Sequence, residues 1–438
     1  MFAIVIANVQ PSEVFGRLPD PDAARSGASQ ACAAKSHSSQ SIAGCRGAHR
    51  RIGGPLMRLA LVRQDFISDG AVERVTERAL EALLERNVAV SLYTRSWPQT
   101  RLQLVEPVIC NPFHLGSLWR DWGFARATCR DIRRSQPNLV ESHERMLCCD
   151  IYRAGEGVQA VWLEEQFKQA TTGERISSRM SPRNRYLLAI EKRLYASPWL
   201  RAVICNSKMV RDEVASRFGV AESKLHVVYN PVDSDFFHPG LRAERTKVIE
   251  RYRIDAAATV YLLIASDFMR CNVGTAIDAF ATLPPPAHMV VVGDAPDLVR
   301  YKKQARALTI ADRVTFTGEV GDSRPYYGAA DVFVLPTLYD PSPRTVLQAL
   351  ACGLPVVTST KCGAAELLHE YGAGLVAASG DTASLAAHMT TLQDPGRRAR
   401  FAANSRDATL PLSSQAITLQ LVLLYRDLLA STTKPQIS

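Results

Sequence analysis

One pattern runs through this chain twice and limits the folds open to it. Short apolar runs alternate with segments whose apolar residues recur at helical spacing, and Gly, Pro, Asn and Asp punctuate the joins. The stretch from residue 258 shows it most clearly: TVYLLIAS, a helical segment over 273–282, AHMVVVGD, another over 297–308, RVTFTG, ADVFVLPT, a third over 344–352, and LPVVTS. Apolar runs without polar alternation mark strands buried on both faces of a parallel sheet, with the helical segments as crossovers. An earlier set starts at Met57 with RLALV, the loop RQDFISDG and the helical AVERVTERALEALLERN. It continues through VAVSLYT, NLVES (138–142), RAVICNS (201–207), the helical KMVRDEVASRFGV and LHVVYNPVD. The expected fold is α/β, two doubly wound Rossmann-like domains whose strand C-terminal ends face one cleft, where open α/β sheets bind ligands.

The expected domains are 57–232 and 233–412, joined around NPVDSDFF (230–237). The strongly helical SSQAITLQLVLLYRDLLAST, within 413–438, is expected to cross back onto the first domain. Residues 1–56 are rich in Ala, Ser, Gly and Arg without periodicity and are expected to be a disordered extension, with Met57 as the working start. The apolar MFAIVIANVQ is too short, and wrongly flanked, for a secretory signal.

No apolar run reaches the roughly 18 residues needed to span a bilayer. Lys and Arg number 52 against 43 Asp and Glu, a formal charge of +9 that suits anionic partners. The ten cysteines are scattered, none in a Cys-x-x-Cys zinc spacing, and the adjacent Cys148 and Cys149 are badly placed to bond each other. A reducing cytosol and the absence of a metal are the expectations.

Five stretches carry candidate chemistry. In DFISDGA, Gly70 permits a tight turn before a helix, which serves either a phosphate contact or the turn alone; the pattern is not a dinucleotide fingerprint. In ASDFMRCNV, Arg270 stands where a strand tip opens into a helix and could neutralise a diphosphate. In YDPSPRTVLQALACGLPVVTS, Pro343 suits a helix start, Gly353 and Pro355 its end. The amides of Arg344, Thr345 and Val346 would face an anion, Asp340 the same space, and Gln348 a nucleoside. In VESHERMLCCDIYRAGEG, His143, Glu144, Arg145 and Asp150 crowd a strand tip, in ligand or structural roles. The segment 166–201 sets eight Lys and Arg against two Glu, with aromatic and leucine residues interleaved. Arg179, Arg183, Arg185, Lys192 and Arg193 would suit an anionic bilayer surface, or a solvated helix over a core stripe. No RNA-recognition module accompanies them, so nucleic acid is not an expected partner.

With these residues in view, the chain resembles the family-4 retaining glycosyltransferases of GT-B type, closest to the lipopolysaccharide core glucosyltransferase I group. The resemblance covers about 57–430 and rests on VICNSKMVRDEV…LHVVYNPVDSDFFHPG, ASDFMRCNVGTAIDAF, RVTFTGEV…YYGAADVFVLPTLYDP and VLQALACGLPVVTS. The subgroup rests on SHER, CDIYRAGEG and SDF-x-R. It implies a nucleotide-sugar donor, expected to be a UDP-hexose such as UDP-glucose, held by the second domain. The implied acceptor is a lipopolysaccharide core or other lipid-linked glycan held by the first domain, at the cytoplasmic face of the inner membrane, and the anomeric configuration is retained.

In such enzymes an Arg-Lys pair holds the diphosphate, and an acidic-x7-Glu motif holds the sugar and the ribose. Carried over, Arg270 is the Arg, Cys271 stands where the Lys would be, Asp340 is the first acid and Gln348 replaces the Glu. Gly70 and Ala71 match a Gly-Gly of the first loop. Ser266, Gly318, Thr345 and Val346 complete the implied donor set, with His143 as a supporting catalytic candidate beside Asp340 and Arg270. No cofactor beyond the nucleotide-sugar co-substrate is implied. The departures at Cys271, Gln348 and Ala71 keep a second reading open, a catalytically weak paralogue that binds nucleotide sugar or acts as a scaffold. A third is an epimerase on the same fold.

Overall fold

The computed structural model describes residues 57–65, 83, 88–97 and 105–431. Gly70, Ala71 and the first 56 residues lie outside them. The first sheet contains β1 (Met57–Val62), β2 (Val88–Thr94), β3 (Glu106–Ile109), β4 (Leu139–Ser142), β5 (Ile151–Arg153), β6 (Ala202–Cys205) and β7 (Leu225–Val227). Its order is β3-β2-β1-β4-β5-β6-β7. The second contains β8 (Thr259–Ile264), β9 (Ala287–Val292), β10 (Val314–Phe316), β11 (Val332–Leu335), β12 (Val356–Ser359) and β13 (Gly374–Ala377), in the order β10-β9-β8-β11-β12-β13. Every pairing is parallel. Each sheet therefore reverses its winding beside its first strand, the place where doubly wound sheets open a crevice. The expected α/β architecture is present in both halves.

The apolar runs become fully buried strands: every residue of β6, β9, β11 and β12 is inside. Local chemistry ends the helices. Gly219 closes helix Lys208–Phe218 and Gly372 closes helix Ala365–Tyr371, both in the left-handed conformation that a Cβ disfavours. Between the sheets the chain runs through a 3-10 turn at Pro239–Glu244 and helix Arg245–Tyr252. Asp331 ties that linker down. Its buried carboxylate accepts from Arg242 at 2.8 Å, Arg245 at 3.1 Å and the Val260 amide at 2.9 Å.

Helix Ser414–Ala430 touches the first sheet's residues. The Tyr425 hydroxyl donates to Glu141 on β4, and the Arg201 guanidinium donates to the Leu428 carbonyl. As expected, Cys148 does not bond its neighbour, and Cys149 is free and buried; the partner of Cys148, not foreseen, is Cys129 on helix Gly116–Ser135, 19 residues away. Spacing along the chain could not show that the helix returns Cys129 to the strand-tip loop.

Candidate functional site

The loop after β8 and the loop after β11 meet. The Arg270 carbonyl accepts from the Leu338 amide at 2.9 Å and from the Thr337 hydroxyl at 2.8 Å. Arg270 Nε donates to the Tyr339 carbonyl at 3.0 Å, fixing the guanidinium beside Asp340. Burial works against the charge of Arg270, but Asp340 and Glu156 outweigh it and hold the guanidinium firmly protonated. The Asp340 carboxyl is pushed up to about 6 by burial, which Arg270 and the Ser342 amide only partly oppose. Its Oδ1 accepts from the Ser342 amide at 3.2 Å. Gly293, at φ +126°, lets β9 pass the β8 tip, since a Cβ there would lie 1.9 Å from the Ala265 carbonyl oxygen. Ser266 is exposed next to that tip. Gly318 is bridged to Gly293 just beyond β10.

Helix Arg344–Ala351 begins directly after Pro343. One site expectation changes here. The Val346 amide is already bonded to the Pro343 carbonyl at 3.2 Å, because the first turn is tight, so it is engaged inside the helix and not directed at an anion. Cys271 lies close to Asp340 and Arg270 but brings no positive charge to the position of the implied Lys. It packs in the second domain's core, where burial pushes the thiol up to about 12 and keeps it neutral. Gln348 is half-buried, and its Oε1 accepts from the Tyr327 hydroxyl at 2.8 Å.

Tyr339 was not foreseen as a functional residue. It belongs to the second domain's loop, yet its ring is fully buried in the first domain's apolar cluster with Val158, Val161 and Val210. Gly157, at φ +71°, makes room for it, as a Cβ there would come 2.2 Å from the Tyr339 hydroxyl. Further links cross the same interface. Asn230 donates to the Ser342 carbonyl at 3.1 Å. Glu366 accepts the Lys208 amide at 2.8 Å, and Lys361 pairs with Glu213 at 3.3 Å. Trp162 lies under the Arg270 guanidinium, 5.5 Å from ring centroid to Cζ.

On the first domain, His143 follows β4. Its Nε2 lies 3.5 Å from Glu141, which is buried and paired with Arg153 at 2.8 Å. Burial, then the nearby Arg153 and Arg63, lower His143 despite Glu141, so its ring is neutral near pH 7. Burial opposes the Glu141 charge, but Arg153, His143 and Tyr425 together hold its carboxyl well below the usual range. Arg145 and Asp150 are structural. Arg145 pairs with buried Glu191 at 3.2 Å, and Asp150 accepts the Val140 amide at 2.9 Å. Glu144 accepts the Gln64 amide at 3.0 Å.

The basic segment is three helices, not one: Gln159–Gln169, Thr172–Met180 and Pro182–Tyr195. A Thr171–Glu174 capping box and the Ser181-Pro182 start separate them, as these residue types do at helix entries. Arg179, Arg183, Arg185, Lys192 and Arg193 are all exposed. A pocket of about 250 Å³ lies among the three helices, lined by Leu163, Phe167 and Leu188 together with Arg179, Arg185 and Glu164. Arg183 pairs with Asp121 at 3.1 Å, joining this surface to helix Gly116–Ser135. There Phe113, Leu115, Trp119 and Trp122 are exposed, followed on the same face by exposed Arg126, Arg130 and Arg133. Their spacing of three and four was readable in the sequence but was passed over. Among the described residues no cluster of three or more His, Cys, Asp or Glu is placed to hold a metal ion, and no single helix is long and apolar enough to cross a membrane.

Two family models match in tandem, Glycosyltransferase Family 4 over residues 72–236 and Glycosyl transferases group 1 over 244–408. A probable transglycosylase of Burkholderia thailandensis is 26% identical over 72% of this chain and 81% of its own length. The lipopolysaccharide glucosyltransferase WaaG of Escherichia coli is 23% identical over 74% of this chain and 85% of its own. The crystal structure of a WaaG glycosyltransferase involved in lipopolysaccharide biosynthesis superposes with a TM-score of 0.70 at 19% identity, covering 84% of this chain and 99% of the other. Anabaena HepE in complex with UDP and glucose superposes at 0.63 with 19% identity, covering 85% and 100%. The tandem domains, each folded as a parallel α/β sheet, show that this chain belongs to the GT-B glycosyltransferases, with a family-4 domain followed by a group-1 domain.

Proposed function

We propose that the chain transfers a hexose, glucose first among the candidates, from a UDP-sugar to a lipopolysaccharide core or other lipid-linked glycan, with retention. One observation carries the reading. Arg270, Asp340 and the start of helix Arg344–Ala351 meet at the carboxyl edge of the second sheet, against the first domain. A guanidinium and oriented amides stabilise a departing nucleoside diphosphate, and a carboxylate accepts hydrogen bonds from sugar hydroxyls. A donor phosphate oxygen can take the acceptor's proton in retaining transfer, so His143, neutral and on the first domain, orients the acceptor. The Escherichia coli relative is named a lipopolysaccharide glucosyltransferase, and the HepE structure contains UDP and glucose; both favour this donor and acceptor.

The exposed arginines of 179–193, the pocket among the three helices and the Trp119–Trp122 face support work at an anionic inner-membrane surface on the cytoplasmic side. The weak-paralogue reading also has an observation behind it, a buried and uncharged Cys271 thiol beside Asp340 and Arg270 where the family's lysine would supply charge. Calorimetric titration with UDP-glucose, UDP-galactose, GDP-mannose and ADP-glucose, followed by transfer assays on purified core oligosaccharide, tests both readings. Tight UDP-glucose binding with transfer supports the enzyme. Binding without turnover favours the paralogue, and no binding to any sugar nucleotide sinks both.

A further inference from the structure

Resting on that donor reading, we propose that Arg63 of the first domain is the second cation of the nucleotide's diphosphate site, working from across the cleft in place of the lysine that Cys271 lacks. In the second domain the Arg270 guanidinium is fixed beside Asp340, and Arg344, exposed at the start of its helix, adds a weaker influence on that carboxyl. Cys271 is buried and uncharged, and Lys361 is committed to Glu213 at 3.3 Å and Glu165 at 3.8 Å. A diphosphate leaving group calls for more positive charge than this.

Arg63 directly follows β1, the strand at the first sheet's winding reversal. In the parallel register Val62 pairs with Ser142, and Ser142 with Tyr152. The next residues on these three neighbouring strands are Arg63, His143 and Arg153, so three basic side chains stand in a row on one face of the carboxyl edge. Two of the three are occupied by Glu141, which pairs with Arg153 and faces His143. Arg63 is different. It is half-buried, and no hydrogen bond or ion pair to its guanidinium is formed among the described residues. A guanidinium has five donors, and leaving them without partners away from water is costly.

The charges around it indicate what is missing. Burial lowers Arg63 below the usual arginine range; Glu144, Glu156 and Asp65 attract it, and Arg153 repels it. Glu144 is engaged by the Gln64 amide. Glu156 is mostly exposed, and instead of closing on Arg63 it reaches Arg270 at 3.4 Å. One exposed carboxylate thus stands in the field of two guanidinia from opposite domains. A phosphate dianion has the charge and the oxygens to satisfy both. Glu156 is the internal anion that the donor displaces, and Arg63 gains its partner only when donor is bound.

The test is titration of the full chain with UDP and with inorganic pyrophosphate, comparing wild type with Arg63→Gln, Arg63→Lys and Glu156→Gln. Arg63→Gln is expected to weaken both ligands by about tenfold or more, Arg63→Lys by less, and Glu156→Gln is expected to tighten both several-fold. Unchanged affinities in Arg63→Gln, with wild-type thermal unfolding, overturn the proposal. So does an effect confined to the KM of a phosphorylated acceptor. Should Arg63→Gln unfold, Glu156→Gln decides: pyrophosphate binding that is unchanged or weaker overturns it. Wild type that binds pyrophosphate and UDP normally while Arg63→Gln is silent leaves the donor reading standing. Wild type that binds neither removes both.

Discussion

The Tyr339 hydroxyl donates to Glu213 at 2.7 Å and accepts from the Val158 amide at 2.9 Å, so a residue from the second domain's loop after β11 is fastened at two points inside the first domain. Asp340 is the next residue along. Tyr339→Phe leaves Val158 without its acceptor and removes a donor from Glu213, whose carboxyl burial already raises. The expected cost is about 1–3 kcal/mol in thermal unfolding, with weaker UDP binding as Asp340 loses its anchor. An unfolding midpoint equal to wild type would show that the fastening contributes nothing.

Asp340 has a distinct pH signature. Its folded value, about 6, lies above the ~3.9 of an unfolded aspartate. Between the two the folded protein holds the extra proton, so this residue makes stability fall as pH rises through that window, and the penalty persists above it. Asp340→Asn should therefore raise the unfolding midpoint at pH 7.5 by roughly 1–3 °C and give no gain below pH 4. Transfer activity should drop at least ~100-fold, and in wild type donor binding should weaken as pH falls below 6. Lower stability of the variant at pH 7.5 would contradict the assignment.

Gln348→Glu keeps an acceptor for the Tyr327 hydroxyl and adds a charged oxygen facing the nucleoside side. UDP affinity should rise by about 5–30-fold, equivalent to ~1–2 kcal/mol. Calorimetry that finds no change would mean Gln348 does not face the ribose.

Gly157→Ala should be among the most damaging small substitutions in the chain. It combines an unfavourable positive φ with a Cβ 2.2 Å from the Tyr339 hydroxyl and 2.7 Å from Pro341 Cγ. A loss of about 2 kcal/mol or more in urea unfolding is expected. Wild-type stability would show that the two domains separate here at little cost.

Vesicle sedimentation checks the membrane surface. Arg179, Arg183 and Arg185 changed together to Glu should abolish binding to anionic vesicles, and Trp119→Ser with Trp122→Ser should weaken it several-fold. Binding that survives both changes places the contact elsewhere.

What the sequence revealed and what it hid divide along chain separation. The second sheet was readable from AHMVVVGD and ADVFVLPT, because buried parallel strands write themselves as continuous apolar runs. The placement of Arg270 and Asp340 was readable because each lies in the loop after such a run. That the Cys271 thiol is buried was not readable there, because a strand-tip position does not fix how much of the next side chain is covered. Tyr339 in the first domain's cluster, Glu156 on Arg270 and Cys129 on Cys148 join residues that only the folded chain brings together, and no local period records them. The helix breaks at Thr171 and Ser181 were written in capping residues that a count of charges overlooked.

Tyr425 lies within the last helix, yet its hydroxyl rests on Glu141, the same carboxylate that faces His143 and holds Arg153. Helix Ser414–Ala430 is therefore also a wall of the His143 surroundings, where the proposed acceptor would sit. Trimming that helix by two turns, or pulling on it with a bulky fusion, would be felt first by the imidazole at the β4 tip, before the global fold registers the damage.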